Sequence, residues 1–152
     1  MNVIKTKTLS QNQEDQINEL WDNEYPIKLK GRFSTLLNDV ENYNYYIIEE
    51  IHQKVIAWAV DFEKENEVRF SIIVHSKHQG QGLGRILLKT LKDENKILFG
   101  WVIDHDNYQK QNGTAYVSPL PFYIKNEFEI LKHLRIETDI LSAVKIKWCR
   151  KM

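Results

Sequence analysis

Apolar positions change period along the chain, and those changes mark its elements. Val3 to Thr8 alternates in part and predicts a short strand. Ser10 with Gln13 forms a capping-box pair. Ile17, Leu20 and Trp21 then recur at helical spacing, predicting a helix over Gln11–Asn23 that Glu24-Tyr25-Pro26 breaks. Phe33, Leu36, Leu37 and Val40 share one face of a second, shorter helix over Phe33–Val40. Three strands follow: Tyr43–Glu50, Lys54–Phe62 and Glu67–Val74. Turns near His52-Gln53 and Lys64-Glu65-Asn66 separate them, so they read as an antiparallel meander. Leu83, Ile86, Leu87 and Leu91 return to helical spacing. Lys96–Ile103 reads as a buried strand, and Asp104–Val117 as a long polar loop. Ser118 predicts an N-cap with Pro119 at the first helical position, opening a short helix through Phe122, Tyr123 and Lys125. The tail offers two strands, Phe128–Leu131, extending toward Ile136, and Ala143–Trp148. The order is β-α-α-β-β-β-α-β-α-β-β, an α/β (α+β) chain whose mixed sheet carries helices on its faces.

Composition narrows the functional classes. The 152 residues suit a single domain over residues 1–152, with no linker, repeat or low-complexity segment. Lys+Arg and Asp+Glu both number 21, so the formal net charge is zero, which argues against a nucleic-acid partner or a membrane surface. No apolar run approaches the ~20 residues that span a bilayer, and Met1–Lys5 lacks the apolar core of a signal peptide. The single cysteine, Cys149, excludes an intrachain disulfide and fits a cytoplasmic protein.

Chemistry concentrates in His78-Gln79-Gly80-Gln81-Gly82-Leu83-Gly84-Arg85. Three of the six glycines sit here at alternating positions, between a predicted strand and a predicted helix. A Gly-rich turn at a helix start presents free backbone N–H groups and the positive end of the helix dipole, so it predicts a site for a phosphorylated ligand. A P-loop needs Lys-Ser/Thr after its last glycine, and none follows here. A Rossmann fingerprint needs a third glycine where Arg85 stands, and a parallel βαβ context in place of a meander.

Gln79-Gly80-Gln81-Gly82-Leu83-Gly84 instead matches Gln/Arg-x-x-Gly-x-Gly/Ala and resembles the acyl-CoA-binding motif of the GNAT superfamily of N-acyltransferases. The preceding Ile72–Lys77, the following Arg85–Leu88 and the element order over nearly the whole chain extend the resemblance. Tyr123-Ile124-Lys125-Asn126-Glu127-Phe128 resembles the family's late Tyr-x-x-x-Gly-Phe element. Two positions depart: Glu127 stands where the family has glycine, and Tyr116 where it often has a coenzyme A-contacting asparagine, for which Asn107 or Asn112 are possible substitutes. The implied fold is a mostly antiparallel sheet of about seven strands flanked by about four helices.

The resemblance implies a direct transfer of acetyl from acetyl-CoA to a primary amine of a small molecule or peptide. The alternative is a non-catalytic acyl-CoA sensor of the same fold. The N–H groups of Gln79, Gly80, Gln81, Gly82, Leu83, Gly84 and Arg85 would hold the pyrophosphate. The pantetheine arm would lie along Ile72, Ile73 and Val74, where a bulge splays this strand from the next. Val74 N–H would stabilise the oxyanion. Tyr123 would act as general acid, a phenol of pKa ~10 being matched to a thiol of ~8.5. Arg85, Lys89, Lys77 and His78 are cations near the phosphates or solvated surface groups. For the base, the family's strand position falls on Val68, with Glu67 adjacent. Asp104, His105 and Asp106 form a second set, as base or substrate ligands near the mouth of the slot. Asp104-x-Asp106 with His105 lacks a full metal-ligand set, so no metal is expected. Trp21 and Tyr25 would border the acceptor site, while Trp58, Trp101 and Trp148 are assigned to the core. Cys149 reads as inert, and the family's habit of dimerising makes a homodimer possible.

Overall fold

A computed structural model describes residues 2–151. Strand β1 (Ile4–Thr6) leads to helix α1 (Gln11–Glu24). The capping box is formed: Gln13 N–H donates to Ser10 Oγ (3.1 Å) and Ser10 N–H to Gln13 Oε1 (2.9 Å). The expected second helix is not α-helical. Two 3₁₀ turns, Ile27–Leu29 and Phe33–Thr35, stand there instead. Ser34 and Thr35 hydroxyls donate to the carbonyls of Gly31 and Arg32 (3.3 and 2.8 Å), and Asp39 adopts a left-handed φ of 58°. Local side-chain bonds therefore compete with a helix too short to nucleate well. Its apolar positions still do their packing work, with Phe33 buried and Leu36, Leu37 and Val40 against the α1-side core.

Strands β2 (Glu41–Glu50), β3 (Lys54–Lys64) and β4 (Glu67–Val74) form the predicted meander. Glu65 and Asn66, both at positive φ (53° and 64°), make a two-residue hairpin turn between β3 and β4. Helix α2 (Leu83–Glu94), β5 (Ile97–Val102), α3 (Leu120–Lys125), β6 (Glu129–Glu137) and β7 (Ser142–Cys149) complete the order. Pro119 is the N-cap of α3, so that helix starts one residue later than expected, while the Ser118 hydroxyl accepts from Leu120 N–H (3.2 Å).

Among the described residues one seven-stranded sheet runs β1-β2-β3-β4-β5-β7-β6, and only the β4–β5 pair is parallel. Two cores sandwich it. Tyr46, Ile56, Phe70 and Leu98 pack with Leu83, Leu87, Leu88 and Leu91 of α2 and with Tyr123 of α3. Ile17, Leu20 and Trp21 of α1 pack with Ile47, Trp58, Val60 and Ile73 on the opposite face. Trp58 and Trp148 are buried as assigned, but Trp101 is only half-buried, with the Lys145 ammonium 5.5 Å from its ring centroid. The 104–117 loop is a small folded hairpin: Tyr116 N–H donates to Tyr108 O and Lys110 N–H to Thr114 O, both 2.8 Å. It is tied to the end of α1 by Ile27 N–H donating to Gln109 O (2.8 Å). Among the described residues no helix is long and apolar enough to cross a membrane.

Candidate active site

The parallel β4–β5 pair holds only one bridge, Arg69 with Phe99. Beyond it the two strands separate, and a cleft of about 1070 Å³ opens between Phe70–Val74 and Gly100–Ile103. The expected bulge is absent. The β3–β4 register runs without a shift from Lys64–Glu67 to Ala57–Val74, so the splay comes from divergence of a regular strand. That register also sets backbone direction. His75 N–H donates to Ile56 O (2.8 Å) in direct opposition, so the odd-numbered residues of β4 bond to β3. The N–H and C=O groups of Ile72 and Val74 consequently face the open side. Val74 O accepts from the Gln79 side chain (3.2 Å).

At one end of the cleft β4 runs into the glycine loop. Gly80 and Gly82 hold left-handed φ values of 80° and 81°. A Cβ added at either would meet no atom within 4 Å, so conformation and not space demands glycine there. Gly82 is the N-cap of α2 and has no side chain to occupy the first-turn N–H groups, which are left for an anion. Ile72, Ile73, Val74, Gln79, Gly80, Gly82, Leu83, Gly84 and Arg85 all line the cleft, as does His78. Gln81 does not, being exposed on the outside of the loop. Lys77 also lies outside, and Lys89 pairs with Asp93 (3.0 Å), so neither cation serves the cleft.

Tyr123 projects from α3 into the same cleft, packed edge-on against Phe70 and Phe128 (centroids 5.7 and 5.4 Å). Burial pushes its phenol well above the ordinary value, and among the described residues its hydroxyl makes no hydrogen bond. Helix α3 ends in a Schellman motif: Phe128 N–H donates to Tyr123 O (3.1 Å) and Glu127 N–H to Ile124 O (3.2 Å). Glu127 sits at the left-handed position with φ 72°, which explains the glycine expected there.

The other end faces α1. Trp21 and Tyr25 line it, with rings 4.6 Å apart. Burial raises the Tyr25 hydroxyl to about 12, with neighbouring Ser71 pulling the other way. Tyr116, in the place expected for asparagine, is buried beside Tyr25 (6.2 Å) and lines the cleft, whereas Asn107 and Asn112 do not. The predicted bases are not in the cleft. Asp104 receives both terminal nitrogens of Arg135 (2.8 and 3.0 Å), and those hydrogen bonds hold its carboxyl below the usual range, the opposite of what a base needs. Asp106 accepts from Ser118 N–H (2.7 Å), and His105 Nδ1 from Asn107 N–H (3.1 Å). Glu67 is held by Arg69 and Lys145 (2.8 and 2.7 Å). The carboxylate that does line the cleft is Glu24, only 8% exposed. It accepts from Ser76 N–H (2.9 Å) and from Lys110 Nζ (3.2 Å). Among the described residues no group of three or more His, Cys, Asp or Glu is arranged to hold a metal.

The family profile of the acetyltransferase (GNAT) domain matches residues 41–130, more than half of the chain. The chain belongs to the GNAT family of acetyltransferases. The matched stretch carries β4, the glycine loop, α2 and Tyr123, the parts that build the cleft. Solved GNAT structures share the fold. One is an aminoglycoside 6'-N-acetyltransferase complexed with coenzyme A (TM-score 0.67, 12% identity, 98% of this chain and 97% of that one covered). Another is the ribosomal-protein-S18-alanine N-acetyltransferase of Escherichia coli (0.63, 19%, 99% and 96%). A third is a phosphinothricin acetyltransferase of Sinorhizobium meliloti in complex with AcCoA (0.62, 15%, 98% and 89%). No curated protein sequence matches the chain. Among the described residues the GNAT fold has three α-helices about its seven strands, one fewer than expected because the second became 3₁₀ turns.

Sequence reasoning missed Glu24, Lys110 and Ser71. Glu24 and Lys110 lie 86 residues apart and meet only because the 104–117 hairpin docks on the end of α1. Nothing local marks either one. Ser71 was legible in principle, since it alternates with Phe70 and Ile72 on a strand whose end was already assigned to the site.

Proposed function

We propose that this protein transfers the acetyl group of acetyl-CoA to a primary amine by direct attack within a ternary complex. The observation that carries the reading is the Val74 N–H, turned into the splayed cleft between the glycine loop and Tyr123. Acetyl-CoA supplies the thioester carbonyl that the amine attacks. The first-turn N–H groups of α2 hold its pyrophosphate, and Ile72 and Val74 offer the unpaired edge of β4 to its pantetheine amides. With the carbonyl against Val74 N–H, the charge that develops on its oxygen meets a fixed donor. As the tetrahedral adduct collapses, the C–S bond breaks, Tyr123 delivers its proton to the departing sulfur, and the proton that the attacking nitrogen sheds on becoming an amide restores the phenol through water. The amine loses its own proton to water before attack. Glu24, which accepts from Ser76 N–H and from Lys110 Nζ, fixes the end of β4.

The test is a thiol-release assay with acetyl-CoA and a panel of amines, run on the wild type and Tyr123→Phe. Turnover is expected on at least one amine, with kcat falling by about 100-fold or more in the variant. Turnover that is unchanged in Tyr123→Phe removes Tyr123 from the acid role. Tight acetyl-CoA binding with no turnover on any amine identifies the protein as a sensor of acyl-CoA instead.

A further inference from the structure

The α1-side half of the cleft is where an acceptor meets the acetyl group if the proposed function holds, and its chemistry restricts that acceptor. Its wall is largely apolar and aromatic: Trp21, Tyr25, Leu29, Leu36, Trp101 and Tyr116. Trp21 is fixed there by Nε1–H donating to Leu29 O (2.8 Å). The charged groups lining this half are Glu24, Lys110, Lys64 and Arg69. The single carboxylate among them is closed by Ser76 N–H and Lys110. Arg69 is held by Glu67 and Glu65 (2.8 and 3.3 Å), and both glutamates lie outside the cleft. Lys64 has no ion pair among the described residues, so the one uncompensated charge lining this half is positive. Spermidine or an aminoglycoside brings several ammonium groups. Each would lose water beside cations with no open carboxylate to receive it.

We propose that the acceptor is a monoamine carried on an aromatic or large aliphatic body, and not a polycationic amine. One ammonium can rest beside the Tyr25 and Tyr116 rings, which line the cleft 6.2 Å apart, without a carboxylate. Desolvation in an apolar cleft disfavours its charged form, which helps it reach the neutral state that attacks. The apolar body then lies on Trp21, Leu36 and Trp101, whose area favours it over the short methylene segments between a polyamine's charges.

The experiment has two stages on the intact protein. Calorimetry with acetyl-CoA comes first; absence of binding overturns the proposed function, and this inference with it. Thiol release is then compared for 2-phenylethylamine, spermidine and kanamycin. The expected kcat/KM for 2-phenylethylamine is at least about tenfold above either polycation. If acetyl-CoA binds and spermidine or kanamycin is used as well or better, the inference falls while the proposed function stands. If none is turned over, binding to the coenzyme A complex, read by tryptophan fluorescence, decides: tighter 2-phenylethylamine supports it, tighter spermidine overturns it. Leu36→Glu places an open carboxylate on this wall and is expected to shift the preference toward spermidine by roughly tenfold, with Leu29→Glu as a second variant should the first not fold. An unchanged preference in the folded variants counts against this wall as the acceptor surface.

Discussion

Glu24 is the joint between three parts of the cleft, and its removal tests the whole arrangement. It ends α1, its Oε2 accepts from Ser76 N–H just past β4, and its Oε1 holds Lys110 of the hairpin. In Glu24→Ala the Ser76 donor loses a charge-assisted bond, a contribution of about 1.5–3 kcal/mol. Lys110, 18% exposed at its side chain, loses its partner. Breaking a buried pair costs about 3–5 kcal/mol, and the remaining exposure of Lys110 puts this one near the lower end. A carboxylate at a helix C-terminus opposes the dipole, so its removal returns about 0.3–1 kcal/mol. Both losses come from removing one carboxylate, so the figure of about 3 kcal/mol covers them together. After the returned dipole contribution the net expectation is a destabilisation of about 2–3 kcal/mol, or roughly 4–12 °C in Tm at this chain length. Urea unfolding followed by tryptophan fluorescence measures it. Glu24→Gln, which keeps an acceptor for Ser76 N–H, should lose less. The double variant with Lys110→Met isolates the pair, with an expected coupling of about 1 kcal/mol or more. A Glu24→Ala loss below ~0.5 kcal/mol, or a coupling near zero, refutes the joint.

Three further outcomes follow from the same geometry. Glu127→Gly relieves a left-handed φ that costs a non-glycine residue about 1–2 kcal/mol, and gives up only an exposed contact with Lys151 (3.5 Å). After the added freedom of glycine in the unfolded chain, a gain of about 0.5–1 kcal/mol in urea unfolding is expected, and no gain would show that the Schellman turn is unstrained. Asp104 is held below its ordinary pKa, so its pairing stabilises the fold above pH ~4 and loses that effect as pH falls through the lowered value. Asp104→Asn should therefore be less stable than wild type near neutrality, by less than about 1 kcal/mol for so exposed a pair, and the two should converge as the pH falls through that lowered value; a difference that persists once the carboxyl is protonated contradicts the ion pair. Because burial raises the Tyr123 phenol, it stays protonated to above pH ~10. The kcat–pH profile should show no alkaline loss below that point that depends on Tyr123, and a limb near pH ~9 that disappears in Tyr123→Phe would overturn this.

What could be read from the chain depended on whether the signal was local. The meander, α2 and the Ser10–Gln13 box are written in periods and caps a few residues long, and they formed where expected. The short second helix failed for a local reason as well: its Ser34 and Thr35 hydroxyls turned back onto nearby carbonyls. The glycine loop was legible because Gly80 and Gly82 must adopt a backbone that other residues resist, and a single sequence shows that directly. The carboxylates were misplaced for the opposite reason. Asp104 and Glu67 look free in the sequence, and each is closed by a cation from a distant strand, Arg135 and Lys145 of β6 and β7. The same long-range docking brings Lys110 to Glu24. The direction of the Val74 N–H stands between these cases. Alternation along β4 is visible in sequence, but which alternate set faces the opening depends on pairing with β3, fixed by the Lys64–Glu67 turn. A one-residue slip at Glu65-Asn66 would turn Ile72 and Val74 back onto β3 and present Ser71 and Ile73 to the opening. The two-residue hairpin turn, distant from the cleft, is therefore what aims the Val74 N–H, the proposed oxyanion donor, into the opening.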